Sequence, residues 1–301
     1  MYPPTTVTAY AHGKINLHLG VGSLRSDGYH DLVTIFQSVD RHDVVTLEVM
    51  DGLPGEILEL TCATRGVPTD ETNLAWRAVA AVFAAAPDPA ALPAVCIDIT
   101  KKIPTAGGMA GGSADAAAAL LAANHLIGAP LTKEELLKLA ADLGSDVPFT
   151  LLGGTAIGTG RGENLTTVLN RATLHWVLAF SSAGLSTPDV FRTLDNLGHT
   201  PHLDSTELQQ ALAAGNPETI AGLLHNDLQP AAISLQPEIR TTLRLGEEAG
   251  ALAGIVSGSG PTCAFLCADA QSAQEVAAEL SLHSAVAVTT SPAKGAYLEG
   301  H

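Results

Sequence analysis

Ile103-Pro104-Thr105-Ala106-Gly107-Gly108-Met109-Ala110-Gly111-Gly112-Ser113 stands between two segments of opposite character. Val95 to Thr100, upstream, reads as a strand. Downstream, an alanine- and leucine-rich run from Ser113 to Ile127 predicts a helix that stops at Gly128. Four glycines within six residues let the backbone approach a ligand closely and adopt positive φ. The helix behind them offers unpaired N–H groups and the positive end of its dipole, which together bind anions. Hydrogen bonds to a charged acceptor are worth about 1.5–3 kcal/mol each, so a few amides can hold a triphosphate with little help from basic side chains. Ser113, at the helix start, is a candidate cap or Mg²⁺ ligand. Taken alone, the stretch also suits a flexible turn before a helix. A P-loop is excluded, because Ser113 stands where G-x-x-x-x-G-K-[ST] needs lysine, and G-x-G-x-x-G occurs nowhere.

The 301 residues are 46% hydrophobic and 15% charged, with a net charge of −16. That supplies a sizeable core, lacks the signature of disorder, and suits two domains. The acidic balance repels polyanions, so neither nucleic acid nor a membrane is expected as a partner. One bound nucleotide is compatible, since distant charge is screened over about 8 Å. Cys62, Cys96, Cys263 and Cys267 form no C-x-x-C pair and read as small buried hydrophobes in a reducing compartment. Met1 to Tyr10 lacks a signal-peptide pattern, and a soluble cytoplasmic protein is expected. The remaining histidines, His12, His18 and His42 among them, show no metal-site spacing and receive no role.

Val7 to Leu19 suits extended structure. Val33 to Val49 reads as two β-rich runs with a turn at Asp40-Arg41-His42-Asp43. Thr72 or Asn73 caps a predicted helix that ends by Pro87. Thr132 to Glu135 is a capping box opening a helix that ends near Gly144. Phe149 to Ile157 reads as a strand broken at Gly153-Gly154, which puts Asp146 at a helix-to-strand junction. Later strands are expected over His175–Phe180, Thr262–Cys267 and Ala285–Thr289. Helices are expected from Pro217, from Pro237, and over Ser272–Leu280. The join near 160–172 divides an α+β chain into units 1–165 and 166–301.

Three separated stretches resemble, in the right order, the motifs of the GHMP kinases. They are Gly13-Lys14-Ile15-Asn16-Leu17, the glycine loop, and Val256-Ser257-Gly258-Ser259-Gly260-Pro261-Thr262. Arg25-Ser26-Asp27-Gly28-Tyr29-His30, Gly144-Ser145-Asp146-Val147-Pro148-Phe149, and Thr187-Pro188 with Phe191 resemble the branch that acts on cytidine diphosphate methylerythritol. The resemblance covers most of the chain. It implies a two-domain GHMP kinase fold: an N-terminal ribosomal protein S5 domain 2-like unit that binds ATP, then a C-terminal ferredoxin-like α/β sandwich. Ala106 and Ala110 depart from the glycines common in the loop. Bearing Cβ atoms, they are expected at negative φ.

The implied activity is ATP- and Mg²⁺-dependent phosphorylation of the substrate's 2-hydroxyl in the non-mevalonate (MEP) isoprenoid pathway. Asp146 is the implied general base. A lysine among apolar residues is paired or functional, and the resemblance puts Lys14 beside Asp146, where it also stabilises phosphate charge. The implied ATP site is Pro104, Ala106, Gly107, Gly108, Met109, Ala110, Gly111, Gly112 and Ser113, with Asn73 and Lys101 near the adenine. Tyr29 and Phe191 are implied to stack on cytosine and His30 to hydrogen-bond it, with Asn16 and Thr187 at the sugar or diphosphate. Without the resemblance, Asp146 reads as a capping residue, Lys14 as half of a salt bridge, and the two aromatics as core. The rival functions are a homoserine- or mevalonate-type kinase, a decarboxylase of the same fold, and a non-catalytic nucleotide sensor. A monomer or weak homodimer is expected.

Overall fold

A computed structural model describes residues 5–300; residues 1–4 and 301, the outer ends of the two predicted units, lie outside it. Two long strands open the chain, β1 (Thr6–Leu24) and β2 (His30–Met50), paired antiparallel. β1 is buried without interruption from Ala11 to Gly22. It therefore carries apolar residues on both faces, and each polar residue among them needs a partner. The turn expected at Asp40–Asp43 does not form. β2 continues through it, and the register passes from Lys14 opposite Ser38 to His12 opposite His42, leaving Val39–Arg41 against Gly13. Such a bulge bends and twists a strand without ending it. Its polar residues look like a turn in sequence.

β3 (Ile57–Cys62), α1 (Leu74–Ala84) and β4 (Ala94–Thr100) follow. Asn73 caps α1 by accepting from the Ala75 N–H, a contact worth about 1 kcal/mol. α2 (Gly111–Leu126) is buried on nearly every side, and its alanines let it lie close to β1, β2 and α1. α3 (Lys133–Leu143) starts at the predicted capping box of Thr132 and Glu135. Phe149–Leu152, expected as strand, belongs instead to α4 (Val147–Leu152), with Pro148 in its first turn. A short apolar run has no period that separates strand from helix, and proline fits a first helical turn. Asp146 therefore sits between two helices.

β5 (Thr155–Gly160), β6 (Asn164–Thr167), β7 (Leu174–Phe180), α5 (Thr187–Leu197), α6 (Thr206–Ala214), α7 (Pro217–Ala221) and β8 (His225–Asn226) come next. The chain ends with α8 (Gln229–Leu235), α9 (Glu238–Glu248), β9 (Ala253–Val256), β10 (Cys263–Cys267), α10 (Ala270–Leu280), β11 (Ala285–Ser291) and β12 (Tyr297–Leu298). One sheet has the order β12-β1-β2-β4-β3, with β5 on β2, β6 on β5 and β8 on β1; the other is β11-β7-β10-β9. The class is α+β, as expected. β8 and β12 bring the second half back onto the first sheet. A buried polar chain also ties the sheets: Trp176 Nε1 donates to Ser291 Oγ at 2.8 Å, Ser291 Oγ to Gln37 Oε1 at 2.6 Å, and Gln37 Nε2 to Thr155 Oγ1 at 3.1 Å. No helix among the described residues is long and apolar enough to cross a membrane.

Candidate active site

β1 carries the Lys14 ammonium into the gap between the glycine loop and the start of α4. It donates to Asn16 Oδ1 at 2.8 Å and to the Gly108 carbonyl at 3.1 Å, and lies 3.8 Å from Asp146 Oδ2. Burial pushes the Lys14 pKa below the ordinary lysine range, and the Asp146 charge opposes that shift. Asn16 Nδ2 donates in turn to Thr34 Oγ1 at 2.7 Å, so the lysine has a fixed support. The Asp146 side chain keeps 30% of its surface exposed and faces an open cavity of about 330 Å³.

The wall of that cavity is the glycine loop: Pro104, Ala106, Gly107, Gly108, Ala110, Gly111 and Gly112 all line it. Ala110 is the N-cap of α2, and no side chain caps the helix. The first N–H groups of a helix have no intrahelical acceptor, and no side chain supplies one at this end. Ala106 and Ala110 overturn the expectation of negative φ, standing at 53° and 57°. A left-handed alanine costs about 1–2 kcal/mol, and the packing around the loop holds it there. The Gly108 carbonyl accepts from both Lys14 and Ser257 Oγ, and the Met109 carbonyl accepts from the Lys14 N–H. An added Cβ at Gly108 would lie 2.0 Å from the Ser257 carbonyl oxygen. The glycine loop and the 256–262 motif thus interlock backbone to backbone.

Four of the residues implied at the nucleotide, Met109, Ser113, Asn73 and Lys101, do not line this cavity. The Met109 side chain is fully buried, which leaves only its backbone near the loop. Ser113 is the third residue of α2 and does not cap it. Asn73 spends its side chain on the α1 cap and on the Pro68 carbonyl. Lys101 is buried against Asp43, Asp115 and the Gly111 carbonyl, so it braces the loop from behind. Burial lowers the Lys101 pKa, but the two carboxylates outweigh it and the net shift is upward. Asp43 accepts from Lys101 and from the backbone of Lys102 and Ile103. Asp115 accepts from Lys101 alone, and its second oxygen has no partner. Two carboxylates share one ammonium, and Asp115 has fewer hydrogen-bond donors around it than Asp43. Burial raises the Asp115 pKa to about 7.

A second cavity, of about 740 Å³, adjoins the first, and Leu32, Ser145, Arg161, Thr187 and Phe191 line both. Tyr29, 53% exposed, and His30 line it too. His30 stacks on Phe191 at a centroid distance of 5.3 Å, while its Nδ1 pairs with the Gly22 carbonyl at 2.8 Å. Thr187 Oγ1 lies 2.8 Å from Ser259 Oγ. Arg161 was missed in the sequence, where Gly160 and Gly162 marked only a join. Its guanidinium lies 5.0 Å from the Tyr29 ring centroid, at the passage between the cavities.

Among the described residues, Asp146 is the single acidic one lining the smaller cavity. Magnesium commonly takes one or two carboxylates and fills its remaining positions with substrate phosphates and water. The donor set fits an ion that arrives with the nucleotide.

The sequence models of the GHMP kinases N terminal domain and the GHMP kinases C terminal region match residues 73–154 and 208–285. The chain belongs to the GHMP kinase family, whose kinases use ATP. A 4-diphosphocytidyl-2-C-methyl-D-erythritol kinase of Corynebacterium diphtheriae is 56% identical over 98% of this chain and 98% of its own. A crystal structure of 4-(cytidine 5'-diphospho)-2C-methyl-D-erythritol kinase superposes with a TM-score of 0.78 at 30% identity, covering 98% of this chain and 100% of that one. Within the family the chain belongs with these kinases. Homoserine kinase from Cytophaga hutchinsonii gives a TM-score of 0.77 at 19% identity over 99% and 98%, a likeness of fold alone.

Proposed function

We propose that the chain transfers the γ-phosphoryl group of ATP to the 2-hydroxyl of 4-diphosphocytidyl-2-C-methyl-D-erythritol, with Asp146 as general base. The carrying observation is the 3.8 Å contact between Lys14 Nζ and Asp146 Oδ2 at a glycine-lined cavity. The hydroxyl proton passes to Asp146 as its oxygen bonds to the γ-phosphorus. The bond to the bridging oxygen breaks, and ADP leaves. Lys14 keeps Asp146 oriented and offers positive charge to the transferring group. The uncapped amides at the start of α2 hold the phosphates. Magnesium, when bound, neutralises phosphate charge.

In this reading the cytidine end fills the larger cavity, against Tyr29, His30 and Phe191, and Arg161 faces the diphosphate that spans the passage. Homoserine and mevalonate have no base to stack there. The cleft is assigned to the meeting of an N-terminal unit, 1–165, and a C-terminal unit, 166–301. The proposed setting is the cytoplasm, which suits four free cysteines, and the proposed state is a monomer or weak homodimer.

The test is ADP release with the cytidyl substrate, homoserine and mevalonate in parallel, repeated with Asp146→Asn. Turnover is expected with the cytidyl substrate alone. The variant should keep ATP binding and lose at least about 100-fold in turnover. Turnover only with another alcohol overturns the substrate assignment; undiminished turnover in the variant removes Asp146 from the chemistry. ATP binding with no turnover on any alcohol favours a sensor.

A further inference from the structure

β1 and β2 bring two histidines and an aspartate together at a place that none of the three shares with the transfer cavity. His12 and His42 are register partners, and the bulge that replaces the expected turn presents Asp40 beside them. Asp40 Oδ1 lies 3.3 Å from His12 Nε2. One ligand atom from each of the three residues lies within 4.8 Å of the other two.

The orientation of His12 is what points to a ligand. Its Nδ1 lies 2.9 Å from the Lys294 carbonyl. A carbonyl only accepts, so Nδ1 carries the proton, and in the neutral ring Nε2 then presents a lone pair. That lone pair faces a carboxylate oxygen. Two acceptors facing each other repel, whereas a cation between them makes both into ligands. The backbone carbonyl on the far nitrogen is the usual outer partner of a metal-bound histidine. The 3.3 Å between His12 and Asp40 agrees as well: tetrahedral bonds of about 2.0–2.1 Å put ligand atoms about 3.3–3.4 Å apart.

We propose that His12, Asp40 and His42 form a binding site for a transition-metal dication of the zinc type, with a fourth position open to water. Two imidazoles and one carboxylate suit such an ion, whereas magnesium prefers an all-oxygen shell. The site is structural. Lys294, held by His12, is bridged to Gly153, and the Ala293 carbonyl accepts from the Gly154 N–H. A bound ion would fix the chain's final segment against β1 and β2.

The full-length chain, stripped with a chelator, is titrated with Zn²⁺ by calorimetry and with Co²⁺ by visible absorption. Asp40→Asn and His42→Ala are compared with a control, His225→Ala, in the separate cluster where the His202 and His225 ring centroids are 4.5 Å apart. The expected result is one equivalent of zinc, a tetrahedral cobalt spectrum, a raised Tm, and no competition from excess Mg²⁺. Affinity should fall at least about 10-fold in each of the two site variants and stay unchanged in the control. Asp40 is exposed and His42 half-buried, and retained ADP release shows that the variants fold. Failure of the unaltered chain to bind zinc at submillimolar concentration overturns the site. So does binding that survives both substitutions or is lost in the control instead.

Discussion

Replacing Gly108 by alanine tests whether the two glycine motifs interlock as described. The residue has φ +75°, and an added Cβ would lie 2.0 Å from the Ser257 carbonyl oxygen and 3.1 Å from the Gly260 nitrogen. Restoring an ordinary van der Waals distance requires the segments to separate by about 1 Å or more. The left-handed backbone adds about 1–2 kcal/mol and the overpacking about 1–3 kcal/mol, so stability should fall by about 2–5 kcal/mol. The moved loop carries the amides assigned to the phosphates, and its Gly108 carbonyl is an anchor for Lys14. A displacement of about 1 Å can cost about 100-fold in rate. Denaturant unfolding and ADP release measure the two effects. Gly112→Ala is the comparison: its nearest foreign atom, Leu74 Cδ1, would be 3.7 Å away, and alanine in a helix should leave stability unchanged or raise it by up to about 1 kcal/mol. A Gly108→Ala protein with the unaltered unfolding midpoint and turnover would refute the interlock.

Lys14→Met should abolish most turnover without loss of stability, because the apolar side chain avoids the desolvation that the buried ammonium suffers; unfolding of the variant contradicts this. In the unaltered enzyme the charged lysine is lost as pH rises through its lowered pKa, so the alkaline limb of the rate profile should fall below the ordinary lysine value of 10.5. Asp115 has a folded pKa raised from 3.8 to about 7. The folded state therefore binds more protons than the unfolded one between those values, and its contribution to stability declines as pH rises across that window. Asp115→Asn should remove that decline, and unfolding curves of parallel pH dependence would show otherwise. Phe191→Ala should raise KM for the cytidyl substrate about 5- to 150-fold, corresponding to about 1–3 kcal/mol of stacking, with KM for ATP unchanged. Equal effects on both substrates would place Phe191 outside the base pocket.

Much of the site was legible in the chain because local rules govern its parts. Glycine spacing, a strand before it and an alanine-rich helix after it announce an anion-binding helix start wherever the rest of the protein lies. Asn73 and the Thr132–Glu135 box announced their helices because capping involves neighbours in sequence. Where a segment's state depended on distant contacts, local reading failed. Val147–Leu152 is helical because of where it packs, and Asp40–Asp43 stays extended because β2 remains paired on both sides of a bulge.

Apart from Lys14 and Asp146, which the family resemblance had already paired, tertiary structure settled which charges meet. Nothing in the sequence says that Lys101 is held by Asp43 and Asp115. Nor does it say that Arg161 stands between two cavities, or that His12, Asp40 and His42 converge. Ala106 and Ala110 show the same division. An isolated alanine avoids left-handed φ, but a loop clamped between β1 and the 257–260 segment takes the conformation its neighbours impose. Local free-energy preferences of about 1–2 kcal/mol govern a residue only until packing across the fold outweighs them.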